Sequence, residues 1–397
     1  MDDIGMKSHF VERVIILIFY LLALFLFLLF IPQGYLVTSC FYFLIISLSL
    51  ILAIIAQPNY GCSLKKVPFW SSFLLLFFML GFRDVSGIDD HTYKEVFEYV
   101  NKVGVSETFL SIFMEPGYLL LNYGVGRITD NYYFFQAFAS FLPLFLIYKG
   151  FEKYQAYIYI PMAILLLCGP LYFQMLSVAL VRMFIAMGLI FYFSLDYLFR
   201  SKAKLYVLSV LLISTIHYSA LIMLLFTPLA FSKYILIRHW KKVALLLCLV
   251  TPVLYAIVSK IAGVVGGRYA GYGEQEAMYI GLGTFYTLPF FFFCLFLKKI
   301  VPQNMQNIYS GSLLMLLMST VFAIVFAYTP TMKRVNYYMD LSLLLLYPSI
   351  YRFSRYNKVI IAVIIIVYVF YISFFFHFSA EKHAEHLFPY RNIFFTI

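Results

Sequence analysis

His217, in the run Ile216-His217-Tyr218-Ser219-Ala220-Leu221, is the side chain best suited to move a proton, because an unperturbed imidazole titrates near neutrality. The same position also suits a histidine that bonds within a helix turn and orders a hairpin. Glu115 directly precedes Pro116, and proline favours the first position of a helix. Its carboxylate therefore either compensates a helix end or is aimed at a hydroxyl in the same cavity. Arg182 stands inside the apolar run Ser177 to Ile190, where a central arginine costs about 2.5–3.5 kcal/mol on insertion scales. Such a residue either snorkels to the interface or binds an anion. Asp89 and Asp90 precede a helical pattern and suit a helix amino terminus, or else lend a carboxylate to the same site.

These groups must be positioned by a chain that is 63% hydrophobic and 12% charged, with a mean hydropathy of +0.90. That balance excludes soluble folds and predicts an all-α, polytopic integral membrane protein. Apolar runs at 14–31, 36–56, 68–82, 132–148, 156–173, 177–199, 205–216, 219–231, 243–259, 280–297, 308–327, 335–351 and 359–379 make about thirteen transmembrane helices in one membrane domain, 1–397. The net charge of +11 is not a nucleic-acid signal, because Lys and Arg gather in short loops on one side, the cytoplasmic one. The five cysteines show no close pair and no metal-ligand spacing. No carboxylate cluster of metal-site type is visible, so neither metal nor other cofactor is expected.

Residues 205–231 can be one long helix or a hairpin turning near His217. The hairpin keeps the charge asymmetry. Its arms of 12 or 13 residues, about 18–20 Å, are too short to cross a core of about 30 Å. His217 then sits below the outer surface, at the base of a recess, where irregular backbone survives only if protein or a water-filled cavity surrounds it.

The longest polar interruption, residues 83–131, lies on the outer side. Tyr93, Val96, Phe97, Val100 and Val103 recur at helical spacing, which predicts an amphipathic helix lying on the membrane surface or over the recess. Thr92 and Glu95 have the spacing of a capping box. Arg83, Arg127, Arg182, Arg268 and Arg334 all fall on the outer side, where positive charge is disfavoured. A guanidinium presents a planar fork of donors and stays charged at any working pH, which suits a diphosphate.

Arg83 with Gly87-Ile88-Asp89-Asp90 and Tyr93, then Glu115-Pro116-Gly117-Tyr118, Val181-Arg182 with Ala186, His217-Tyr218-Ser219, and Arg334 with Tyr337 and Tyr338 form an ordered set over residues 80–340. The set resembles the EpsG-like, Wzy-type O-antigen and polysaccharide polymerases. The resemblance implies a metal-independent glycosyltransferase of the bacterial inner membrane, in shape like the GT-C membrane glycosyltransferases, with 83–131 as a periplasmic loop carrying amphipathic helices. Its substrate would be an undecaprenyl-diphosphate-linked oligosaccharide, and the growing glycan would pass to the non-reducing end of another carrier-linked repeat unit. Besides the bilayer, a chain-length regulator protein is an expected partner, and nucleic acid is not.

His217, Glu115 and Asp89 would then be catalytic. Arg83, Arg182, Arg334, Arg127, Arg268, Tyr93 and Tyr337 would hold the diphosphate and the rest of the substrate. Met183 stands where the resembled family commonly carries Gln, so the resemblance implies one polar contact fewer at that position. A flippase for the same lipid-linked oligosaccharide, or an O-antigen ligase, is the alternative.

Overall fold

The structure, a computed structural model, describes residues 35–57, 63–85, 87–112, 114–169, 180–231, 287–325, 334–353 and 390–396, with scattered positions between 242 and 260. The expected spans at 14–31 and 359–379, and Arg268, lie outside the described residues. What is described is mostly helical, and it forms two compact units.

The first unit contains the helices up to Gly188, the tripeptide Thr215–His217 and the carboxyl-terminal strands. Its helices are α1 (Leu36–Ala56), α2 (Lys66–Gly81), α3 (Asp90–Val103), α4 (Val105–Ile112), α5 (Pro116–Gly126), α6 (Tyr132–Lys153), α7 (Ile160–Leu167) and α8 (Val181–Leu189). Helix α1 is apolar all round. One stripe, with Tyr42, Phe43, Ile46, Leu50 and Ala53, is buried, while Leu44, Leu48, Ile51 and Ile55 are exposed. An exposed leucine and isoleucine stripe of this length belongs against lipid. Small polar groups tie the helices together: Ser49 Oγ lies 2.7 Å from Ser72 Oγ, which lies 2.9 Å from the Tyr148 hydroxyl. Short side chains of this kind let neighbouring membrane helices approach and share a hydrogen bond. Gly188 of α8 serves the same end, because a Cβ there would stand 2.5 Å from Pro143 Cα of α6.

Between α2 and α6 the chain folds into α3, α4 and α5. Tyr93, Val96, Phe97 and Val100 of α3 are buried as the spacing predicts. Protein covers that face: Tyr93 packs on Tyr118 with ring centroids 5.8 Å apart, and Phe97 on Phe135 at 5.1 Å. The helix begins at Asp90 with Asp89 as its cap residue, so Thr92 lies in its first turn and the expected capping box is not formed.

Two short strands, β1 (Arg391–Asn392) and β2 (Phe395–Thr396), close the described chain as an antiparallel pair with Asn392 opposite Phe395. They dock on the end of α2. The Asp84 amide donates to the Arg391 carbonyl at 2.8 Å, the Ile393 amide to the Phe82 carbonyl at 3.0 Å, and the Tyr390 hydroxyl to the Met79 carbonyl at 2.8 Å.

The second unit, Leu189–Ser214 and Tyr218–Phe353, continues α8 through a π-helical stretch, Ile190–Ser194, and one more α turn and a half, Leu195–Phe199. Its next helix, Ala203–Ser214, ends at a turn and is followed by a 3-10 helix, Tyr218–Phe226. The Tyr206 hydroxyl donates to the Met223 carbonyl across the two. Residues 205–231 are therefore a hairpin, and the chain reverses at Thr215–His217. Farther on, Asp340 accepts a 2.6 Å hydrogen bond from Ser319 Oγ. Across both units, four helices among the described residues are long and apolar enough to cross a membrane: Leu36–Ala56, Tyr132–Lys153, Val181–Phe199 and Gln303–Ile324.

Candidate active site

Three side chains drawn from three distant stretches of the first unit meet at one carboxylate. Glu115 is 1% exposed, and its oxygens are divided. Oε2 accepts from Arg182 Nη1, and Oε1 lies 3.0 Å from His217 Nδ1. A buried carboxylate must be paired in this way or lose its charge.

The start of α5 explains how Glu115 gets there. Pro116 occupies the first helical turn, as the Glu-Pro order predicts, and Glu115 is the residue just outside. Its carboxylate makes no capping hydrogen bond to the helix. One orphan amide of the helix start, that of Gly117, instead donates to the Thr215 carbonyl at 2.8 Å. That bond docks α5 on the turn that carries His217, and the turn's backbone gains a partner. Gly117 is required for the approach. A Cβ there would collide with Thr215 Oγ1 and come within 2.9 Å of the Thr215 carbonyl. A glycine in a first helical turn is the signal that could have revealed this contact, since it costs stability unless a close approach requires it.

Arg182 stands in the first turn of α8, with a side chain 13% exposed. An arginine there faces the positive end of the helix dipole, and Glu115 offsets that repulsion. Its guanidinium also lies 5.8 Å from the ring centre of Tyr93 and 5.9 Å from that of Tyr118, within the range of cation–π attraction.

Burial alone would raise the Glu115 carboxyl. The His217 hydrogen bond and the charge of Arg182 outweigh it and hold the group down to about 2. Glu115 is therefore an anion at neutral pH and a poor proton acceptor. Burial pushes the Tyr93 hydroxyl up, so it stays protonated. His217 Nδ1 faces the carboxylate, and in the neutral tautomer that donates from Nδ1 the lone pair is on Nε2.

The other expected site residues divide. Arg83 is 2% exposed, and each of its three nitrogens donates within the protein. Nη1 donates to the Leu80 carbonyl at 2.7 Å, Nη2 to Asp90 Oδ1 at 2.8 Å and Nε to Asp90 Oδ2 at 3.3 Å. Asp90, not Asp89, is the carboxylate so engaged. Asp89 is partly exposed at the head of α3. Arg127 is exposed at the end of α5, where its guanidinium stacks on Tyr123 at 4.3 Å. Arg334 and Tyr337 belong to the second unit, Arg334 exposed and Tyr337 partly so.

An imidazole oriented by a buried carboxylate, beside a guanidinium that keeps part of its surface open, can take a proton from a hydroxyl and neutralise an anion next to it. No curated protein and no solved structure matches the chain. A family model does match, over residues 66–392, which includes every described element from α2 to β1. The chain belongs to the EpsG family, a Wzy-like polymerase-type family of membrane proteins.

Proposed function

We propose that the protein is a polysaccharide polymerase. It transfers a growing glycan from undecaprenyl diphosphate to the non-reducing end of another undecaprenyl-diphosphate-linked repeat unit, at the periplasmic face of the bacterial inner membrane. The observation that carries this is the shared carboxylate of Glu115, with His217 on one oxygen and Arg182 on the other.

In the reaction, an acceptor hydroxyl attacks the anomeric carbon of the donor glycan. His217 Nε2 takes the hydroxyl proton as the new C–O bond forms. The bond from the anomeric carbon to the diphosphate oxygen breaks, and its electron pair leaves with the lipid diphosphate. Arg182 meets that developing charge. Glu115 keeps the imidazole in the required tautomer and balances the imidazolium that forms, without itself accepting the proton. Because the leaving group already carries two phosphates, the enzyme chiefly has to position the reactants and stabilise charge. Asp89 is proposed as a further catalytic group, and Arg127, Arg268 and Tyr93 as further substrate contacts; Arg334 and Tyr337, on the second unit, are proposed as substrate contacts of that unit by itself. A chain-length regulator is the proposed protein partner.

A single-turnover assay with purified protein and lipid-linked repeat units tests the assignment. His217→Ala and Arg182→Ala should both polymerise far more slowly than wild type. Wild-type rates in both would remove the assignment. In cells, loss of the gene should leave single repeat units attached to the final acceptor. A flippase would leave none, and a ligase would leave polymer on the carrier.

A further inference from the structure

We propose that Arg83, with Asp90 and the carboxyl-terminal segment Tyr390–Thr396, is a positioning group for the Glu115 site. It sets the helix that brings Tyr93 to Arg182 and touches no substrate. The proposal rests on the function proposed above.

The chain of contacts is continuous and lies within the first unit. Asn392 of β1 faces Arg83 in an antiparallel bridge, and the amide and carbonyl groups of Phe82, Asp84, Arg391 and Ile393 complete it. The Gln136 side-chain amide donates to the Arg83 carbonyl at 2.6 Å, so α6 holds the same residue from another side. The guanidinium then reaches Asp90, which is fully buried, by two hydrogen bonds. Asp90 Oδ2 also accepts the Gly87 amide at 2.8 Å, and the Tyr132 hydroxyl donates to the Asp90 carbonyl at 3.3 Å. Asp90 is the first residue of α3, and Tyr93, one turn on, is buried between Tyr118 and the Arg182 guanidinium. Displacement at residue 83 thus moves the ring that packs on Arg182.

A fork of this kind cannot be replaced by lysine, whose single ammonium is a point charge without the planar geometry. A phosphate contact, by contrast, tolerates lysine, which binds phosphate as a point charge. The terminal strands extend the consequence to topology. Because Phe82 and Ile393 are bonded at one place, the chain between them returns to the membrane face it left and crosses the bilayer an even number of times. A hairpin at residues 205–231, which returns to the face it leaves, keeps that number even in the thirteen-segment scheme, and a single crossing helix over that stretch would make it odd.

The experiment uses the full-length protein with lipid-linked repeat units. Arg83→Lys should lower kcat on the order of 10- to 100-fold, the scale of a small misplacement of reacting groups, with KM for the donor within about twofold of wild type. Removal of the chain after Pro389 should do the same, and the two changes together should cost no more than one. A rise in KM with kcat unchanged in Arg83→Lys, or full activity after removal of the segment, would overturn the proposal. A second measurement covers a truncated chain that does not fold. Asp84→Cys with Arg391→Cys, in an otherwise full-length chain cleared of its own cysteines, should cross-link. Reporters in the 83–131 loop and after Ile397 should read the same membrane face. Opposite faces or no cross-link would equally overturn it. Failure of the proposed function shows separately, as a wild-type rate in His217→Ala.

Discussion

Two carboxylate–guanidinium pairs are buried in the same unit, and they differ in what they leave open. Around Arg83 and Asp90, exposed 2% and 0%, each guanidinium nitrogen is committed to a protein oxygen. Around Glu115 the carboxylate is as deeply buried, at 1%, but its two partners keep 13% and 21% of their side chains in contact with solvent. In the closed pair every guanidinium nitrogen is engaged by protein, as the proposed positioning role requires. In the proposed reaction the open one keeps a face for substrate, and the histidine on its second oxygen serves as the proton acceptor. On the proposed function, the same residue types serve structure in one place and chemistry in the other, and the distinction lies in how much side-chain surface the packing leaves open.

The sharpest way to break the comparison is to remove the group that the closed pair lacks. His217→Ala should lower the single-turnover rate by about 10²–10⁴-fold, while the thermal midpoint in detergent stays close to wild type, because Glu115 keeps Arg182. Gly117→Ala comes next. The added Cβ forces the Thr215 backbone away and parts His217 from Glu115, which should cost on the order of 10²-fold in the same assay. Arg83→Ala addresses the closed pair. It leaves the fully buried Asp90 without its counter-ion, and we expect a loss of about 3–5 kcal/mol of stability, read as denaturation at lower temperature. Arg182→Ala should destabilise by less than Arg83→Ala, since His217 still faces Glu115.

The smallest effect is that of pH. The Glu115 carboxyl sits at about 2 in the folded protein against about 4.5 for an ordinary glutamate. The unfolded chain therefore binds more protons between those values, so stability from this group rises with pH through that window and is constant above it. Thermal midpoints should show no contribution from Glu115 between pH 7 and 5. Glu115→Gln should remove the part of the acid-induced loss that sets in below about 4.5.

Much of the fold could be read from residue order. Helix α1 coincides with the expected 36–56 span, and the buried face of α3 is the one its spacing predicts. The hairpin at His217 followed from charge asymmetry alone. The candidate site was legible as a set of residue types but not as a set of contacts. Glu115 had two readings at a helix start, and the structure gives it neither a capping bond nor solitude. Asp89 and Asp90 are adjacent and identical in type, so spacing could not say which would meet Arg83. Strands β1 and β2, two residues each, are too short for any periodic pattern to announce them.

Hydrophobicity and charge order by themselves determined that this chain is a helical membrane protein, where its described helices run and where it turns. Those properties depend on neighbours three or four residues away and on the surrounding solvent, which a sequence contains. Only the tertiary structure decided which guanidinium is closed and which is open. That choice depends on bringing together residues 67 and 102 positions apart around one carboxylate and on how much surface the packing leaves, and no local pattern encodes either.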